Sequence, residues 1–376
     1  MENIEENSKR KKRGEKFMKI GLIDADLLNN ASRHPNLAIL KMSGYYKSLG
    51  HDVMLLEDYD TTDNYDLVCI SKVFSSTNVP EFIFNKSNIK LGGTGFYWDN
   101  APDLPYEIEH HMPDYHIYDN YINSKIKSGA KRSYYQDYLD YSIGFSSRGC
   151  FRKCSFCVNK KYDKAQKHSP ISEFLDTTRK GIYLWDDNFL ACSHWEEILD
   201  NLEATKKPFQ FRQGLDVRLL TDKKAQRLSK TKYHGDFIFA FDNIKDRDLI
   251  EDKLSLWRKY TDKSTKLYVL CAFESQDEND INNIFERINI LAKYKCLPYI
   301  MRYEKYKDSD LEGVYTQIAR WCNQPNFFKK KSFREFCEVN QEYVKTKKCA
   351  SMIALEYFEN KYPEIAKKWF DIKFWE

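Results

Sequence analysis

Beyond a polar stretch of seventeen residues, the chain alternates short apolar runs with helical periodicities. Met18-Lys19-Ile20-Gly21-Leu22-Ile23 predicts a first strand and the start of the folded part. Ala38, Met42, Tyr45 and Leu49 then recur at helical spacing until Gly50 stops them. Val53-Met54-Leu55-Leu56, Leu67-Val68-Cys69-Ile70-Ser71 and Asn88-Ile89-Lys90-Leu91 predict further short strands. Strand, helix and strand in this order open a βαβ unit, so residues 18–125 are expected to form a Rossmann-like open parallel sheet. Gly92-Gly93-Thr94-Gly95 follows its last strand. Such a run permits a sharp turn or a close backbone approach to a ligand, and its spacing is not the dinucleotide fingerprint.

Residues 100–140 are rich in Tyr, Asp, Pro and His without a clear period, and are expected to connect and to cover. Six short apolar runs follow, at residues 142–145, 181–185, 209–212, 237–241, 267–273 and 298–303. Between them Trp195, Ile198, Leu199 and Leu202 share one helical face, as do Ile281, Ile284, Phe285 and Ile288. Alternation of this kind predicts α/β architecture over 140–305, a partial (β/α)6 barrel with any site at the carboxyl ends of its strands. Residues 306–376 contain no convincing strand and are expected to form a helical C-terminal cap. No repeat of solenoid length is visible.

A length of 376 residues suits two or three domains, and 42% apolar against 31% charged residues describes a soluble globular chain. No run approaches the roughly 20 apolar residues that span a bilayer. The first thirteen residues are charged where a secretory signal would be apolar, so a cytoplasmic protein is expected. The run Lys9-Arg10-Lys11-Lys12-Arg13 is read as part of a disordered basic tail over 1–17 without function. A net charge of +4 does not advertise a nucleic-acid binder.

Ten cysteines in a reducing compartment are buried thiols or metal ligands, and their positions decide between the two. Cys150, Cys154 and Cys157 crowd into eight residues with the spacing C-x3-C-x2-C, directly after the first barrel run. Thiolates select zinc or iron–sulfur clusters. A structural zinc needs a fourth ligand, and the nearest imidazole is His168. Three cysteines on one loop at a barrel mouth suit instead a four-iron cluster with one iron left open.

The motif, with the aromatic Phe156 just before its last cysteine, resembles the signature of the radical S-adenosylmethionine (SAM) enzymes. That resemblance implies that Cys150, Cys154 and Cys157 hold a [4Fe-4S] cluster whose open iron binds SAM. It also implies reductive cleavage to a 5'-deoxyadenosyl radical, which starts chemistry on a substrate the sequence does not identify. The fold it implies is a six-strand partial barrel with this loop after the first strand. Gly92-Gly93-Thr94-Gly95 and the units before it resemble the N-terminal cobalamin-binding-like domain of one radical SAM class. The likeness covers residues 18–305. It departs at the lower-ligand motif D-x-H-x-x-G: Asp114-Tyr115-His116 begins like it, but residue 119 is Asp. A structural domain without cobalamin is therefore the preferred expectation.

The resemblance places SAM contacts at the strand ends: Phe156 on the loop, then Asp186, Arg218, Asp242 and Glu274, ranked with Asp186 and Arg218 first. Asp186 could accept from the SAM ammonium, and Arg218 could pair with the SAM carboxylate or with Asp216. An acid after a strand also serves as a helix cap, and that reading stays open. The resemblance further implies an external one-electron donor of flavodoxin or ferredoxin type. Alternatives are methyl or methylthio transfer, with cobalamin or on a nucleic acid, and a non-catalytic zinc module of Cys150, Cys154, Cys157 and His168. Cys322, Cys337 and Cys349 are spaced widely, and packing is preferred over a second cluster. Cys69 and Cys271 lie in apolar runs and are expected to be packed. Phe327-Phe328-Lys329-Lys330-Lys331 gives a weak hint of RNA or DNA contact.

Overall fold

A computed structural model describes residues 17–375. The basic run at residues 9–13, and all but Phe17 of the expected tail, lie outside the described residues. The chain divides into two compact units, one holding the described residues up to Asp186 together with Glu196–Phe209, the other Asp187–Trp195 and the described residues from Gln210 on.

In the first unit β1 (Lys19–Asp24), β2 (Asp52–Leu55), β3 (Leu67–Ser71) and β4 (Ile89–Gly92) form an all-parallel sheet in the order β2-β1-β3-β4. Alternation along β1 serves both faces: Ile20 and Leu22 join a core with Leu40, Val53 and Tyr118, while Ile23 packs with Val68, Ile70 and Ile83. Helix α1 (Ala25–Asn30) leaves β1 directly, with the Asp24 carboxylate accepting from the Leu27 N–H. Helix α2 (Leu37–Ser48) is capped by Asn36, whose side chain accepts from the N–H groups of Ala38 and Ile39. Apart from α1, which no periodicity marked, these are the elements expected from the sequence.

The glycine run after β4 is a packing device. Gly93 has φ +99°, and a Cβ there would lie 2.2 Å from the Lys72 carbonyl oxygen. Lys72 donates its N–H to the Gly92 carbonyl at 3.0 Å and accepts from Gly95 N–H at 2.9 Å, so two strand-end loops are stitched together. The aperiodic residues 100–140 fold into short pieces, among them α3 (Asp119–Lys127), with Tyr115, Tyr118, Tyr121 and Tyr138 buried. Their period is hidden because tyrosine packs its ring while its hydroxyl finds a partner, as Tyr118 does on Asp24 at 2.9 Å. The triplet Asp114-Tyr115-His116 is a charged turn: Asp114 accepts from Ser43 and Lys47 at 2.6 and 2.7 Å, and His116 meets Asp119 at 2.8 Å.

Also in this unit are β5 (Tyr141–Gly144), the two-residue strands β6 (Ser147–Arg148) and β7 (Gln166–Lys167), and β8 (Gly181–Leu184). β5 and β8 pair in parallel, and β6 and β7 pair antiparallel. Helix α4 (Trp195–Ala204) and β9 (Phe209–Phe211) follow in the chain.

In the second unit α5 (Asp222–Lys230), β10 (Phe237–Ala240), α6 (Arg247–Arg258), β11 (Thr265–Cys271), α7 (Glu278–Lys293) and β12 (Leu297–Arg302) alternate. β10, β11 and β12 form a parallel sheet, and Leu215 adds a parallel bridge to Phe239. β5, β8, β9, β10, β11 and β12 fall on the six apolar runs. Helices α8 (Glu312–Cys322), α9 (Phe333–Glu342), α10 (Ala350–Lys361) and α11 (Pro363–Trp369) make the C-terminal region helical. Its core gathers Trp321, Phe333, Phe370 and Phe374 around Phe285 of α7. Phe328 is buried there, and Lys329 lies over the Trp375 ring, so the aromatic part of residues 327–331 serves packing. No helix among the described residues is long and apolar enough to cross a membrane.

Candidate metal centre

The three clustered cysteines sit on a loop whose base is the β6–β7 hairpin, where Ser147 pairs with Lys167 and Arg148 with Gln166. Entry to the loop needs a glycine. Gly149 has φ +94°, and a Cβ there would meet the Lys164 carbonyl oxygen at 2.4 Å. Inside the loop the Cys157 N–H closes a turn on the Cys154 carbonyl at 3.0 Å. Lys153 ties the far strand of the loop, its Nζ donating to the carbonyls of Lys160 and Tyr162 at 2.5 and 2.6 Å and pairing with Asp163 at 2.8 Å. Arg148 lies over the Phe145 ring at 3.9 Å.

The thiols are half-buried. Backbone N–H groups point at two of the sulfurs, Arg152 at Cys150 Sγ (3.3 Å) and Asn159 at Cys157 Sγ (3.4 Å). The Nδ2 of Asn159 is a buried donor with no partner among the described residues. Soft ligands, N–H donors to sulfur and an unspent amide donor on one loop fit an iron–sulfur group, whose sulfurs accept hydrogen bonds. Among the described residues no three Cys, His, Asp or Glu side chains converge as a metal ion would require. The pull that gathers such ligands comes from the metal itself, because binding and site folding are coupled.

Asp186 follows β8 and is 2% exposed. Its Oδ1 accepts from Ser146 N–H at 2.9 Å, and its Oδ2 from Ser146 Oγ, Ser147 N–H and Ser147 Oγ at 2.6, 2.8 and 2.6 Å. Three of the four donors crowd onto Oδ2 and one reaches Oδ1, so the carboxylate is held on both oxygens. Asp186 thereby braces the entry to the cysteine loop. Burial raises its pKa to about 6, against the opposing pull of the serine donors.

In the second unit Arg218 pairs with two carboxylates, one of them the Asp216 named from sequence. Its Nε reaches Asp216 at 2.8 Å and its Nη1 reaches Asp246 at 2.7 Å. Burial opposes its charge, and the two carboxylates outweigh that and raise its pKa. Asp242, after β10, has its pKa raised to about 6, first by burial and against the pull of Arg287. Glu274, after β11, is exposed and accepts from Asn243 Nδ2 at 3.1 Å, so the ends of these two strands are joined. Arg287 of α7 was not singled out by sequence. It is 2% exposed and donates to the carbonyls of Phe241, Asp242 and Leu270 at 3.1, 2.9 and 2.8 Å.

His168 stacks on His110 with ring centroids 5.0 Å apart, its Nδ1 lies 3.1 Å from Ser169 Oγ, and its Nε2 is 3.6 Å from Glu109. Burial lowers its pKa to about 4. One ring nitrogen is thus engaged by Ser169, and the ring lies beside the pair of Lys41 and Glu109, which themselves meet at 2.8 Å. Cys322 and Cys337 are buried, and Cys349 opens α10 with its sulfur 3.1 Å from Ser351 Oγ.

No family model matches the chain, and no curated protein matches it. Solved structures do. One is the radical S-adenosylmethionine methyltransferase TsrM from Kitasatospora setae with tryptophan substrate and the SAM analogue aza-SAM bound, at TM-score 0.51 and 11% identity, covering 80% of this chain and 76% of that one. Another is the same enzyme with cobalamin and a [4Fe-4S] cluster bound, at TM-score 0.49 and 11% identity, covering 80% and 78%. At this identity the first likeness shows a shared fold, and the fold is the α/β architecture expected from the sequence.

Proposed function

We propose that the protein is a radical SAM enzyme in which Cys150, Cys154 and Cys157 hold a [4Fe-4S] cluster. The observation that carries this reading is the three-cysteine loop, hinged at Gly149 and braced by Asp186, on a fold shared with a radical SAM methyltransferase. When bound, such a cluster supplies the electron that cleaves SAM. The chain's own contribution is positioning and charge. Asp186 fixes Ser146 and Ser147, and through them the approach of Cys150 to the site. Residues 148–164 carry six basic side chains against one acidic, which favours thiolates over thiols and suits an acidic one-electron donor of flavodoxin or ferredoxin type. Asp242, with its raised pKa, and Arg218, oriented by Asp216 and Asp246, keep the proposed roles of an acid and a cation for SAM.

Anaerobic reconstitution with iron and sulfide analysis, then dithionite reduction with SAM, tests this reading. About four irons per chain and 5'-deoxyadenosine that disappears in Cys154→Ala are expected. Zinc in place of iron, or a cluster that never cleaves SAM, refutes it.

Methyl transfer with cobalamin is a second reading. In the first unit Val73, Phe74, Tyr97 and Trp98 are exposed on the loops that follow β3 and β4. Open parallel sheets bind ligands at this edge, and an apolar edge suits the face of a corrin ring. A cobalamin bound in the TsrM structure favours the same reading, against the preference from sequence for a domain without it. Without the D-x-H-x-x-G histidine, no side chain of that motif would ligate cobalt. Titration with hydroxocobalamin, followed by its visible spectrum, should show saturable binding that Phe74→Asp weakens; no spectral change would remove this reading.

A further inference from the structure

We infer that Asn159 is a positioning residue whose side-chain amide donates a hydrogen bond to a sulfur of the cluster held by Cys150, Cys154 and Cys157. The inference rests on the radical SAM reading and adds a residue outside the cysteine motif.

Asn159 lies two residues beyond Cys157, and its Nδ2 is buried without an acceptor among the described residues. An amide left so costs about 1–3 kcal/mol, and native interiors rarely keep one. Nor is the side chain there for want of anchorage. Its own N–H bonds Cys157 Sγ at 3.4 Å, and the next residue is held by its carbonyl to Lys153 Nζ and by its N–H to the Val158 carbonyl at 3.1 Å. Backbone tethers on both sides fix where the amide sits. An aliphatic side chain would fill the same space without the penalty, so a donor at this position implies an acceptor. The acceptors that the loop is read to gather are sulfurs. Together with the Arg152 N–H at Cys150 Sγ, 3.3 Å, the Asn159 side chain completes a set of donors around the three cysteines.

Hydrogen bonds to cluster sulfurs favour the reduced, more negative state and raise its potential. Redox titration of the reconstituted full chain without SAM, followed by electron paramagnetic resonance, reads this directly. Asn159→Asp keeps the shape, removes the donor and adds charge; Asn159→Leu removes the donor alone; Asn159→Gln keeps it. The first two are expected to hold about four irons and to reduce at lower potential, by at least tenfold in the one-electron equilibrium, about 59 mV. Asn159→Gln should stay nearer wild type than either. Loss of iron from Asn159→Leu that Asn159→Gln restores also supports the inference. Unchanged potentials in all three, or iron lost from all three in chains whose circular dichroism is unchanged, overturn it. A wild-type chain that takes up no iron fails the radical SAM reading itself and removes the acceptor with it.

Discussion

Ser146 is held to Asp186 by both its N–H and its hydroxyl, at 2.9 and 2.6 Å, across forty residues of chain. With the matching pair from Ser147, this carboxylate fastens the end of β5 and the start of β6 to the end of β8. Asp186→Ala leaves four donors to find new partners in a buried place. The expected loss is about 3–5 kcal/mol, measured by urea unfolding, because a buried carboxylate bonded by several donors is costly to delete. Faster loss of iron to a chelator should accompany it.

Gly149→Ala tests the loop from its other end. The added methyl meets a backbone oxygen, which cannot swing aside like a side-chain tip, and the residue keeps φ near +94°. Strain of about 1–3 kcal/mol is expected, released by moving the loop. Iron content after reconstitution should fall below half of wild type while far-ultraviolet circular dichroism is unchanged. Full iron content would show that the loop has slack.

What the sequence disclosed follows from locality. The six apolar runs became strands because burial, on both faces in β5, β8 and β9, writes a near-continuous apolar string into the chain. The cysteine loop was legible for the same reason, its ligands being neighbours in sequence. Asp186 and Arg218 were found as polar positions at strand ends, yet their partners decide their work. Those of Asp186 lie forty residues upstream, and one partner of Arg218 lies twenty-eight residues on, at Asp246. The hairpin of β6 and β7 escaped because each strand is two residues long. Arg287 was hidden inside an amphipathic helix, where a cation ordinarily faces solvent. The cover over residues 100–140 hid behind tyrosines, which read as polar or apolar according to whether the hydroxyl has a partner.

Buried carboxyls give the stability a pH dependence of predictable sign. Burial raises the Asp24 pKa from 3.8 to about 6, against the opposing hydrogen bond from Tyr118. Between those values the folded chain binds more protons than the unfolded one, so this group's contribution is fullest below pH 4 and is lost as pH rises through about 6. Asp24→Asn removes the titration. Urea unfolding of both chains at intervals from pH 4 to 7 should show wild type losing stability relative to the variant as pH rises. A relative change of the opposite sign would place the folded pKa below the unfolded one.

Arg287 makes the strongest demand on the second unit. Its Nη1 donates to three carbonyls that end β10 and β11, and its Nε to Asn283 at 3.2 Å. Burial disfavours its charge and lowers its pKa, while Asp280 and Cys271 oppose that shift. Deleting the guanidinium therefore relieves one desolvated charge but strands several carbonyls and removes the cation that pulls down the pKa of Asp280, itself 3.0 Å from Tyr315 Oη. The second effect is larger, because each stranded acceptor keeps its own desolvation cost. Arg287→Met is expected to lose about 3–5 kcal/mol in urea unfolding, and Arg287→Lys less, since an ammonium can still donate to up to three carbonyls. Because those carbonyls set the backbone that carries Asp242, the proposed SAM role of Asp242 predicts weaker SAM binding by isothermal titration even where Arg287→Lys remains folded. Unchanged affinity in a folded Arg287→Lys chain would separate the stability of the strand ends from the binding of SAM.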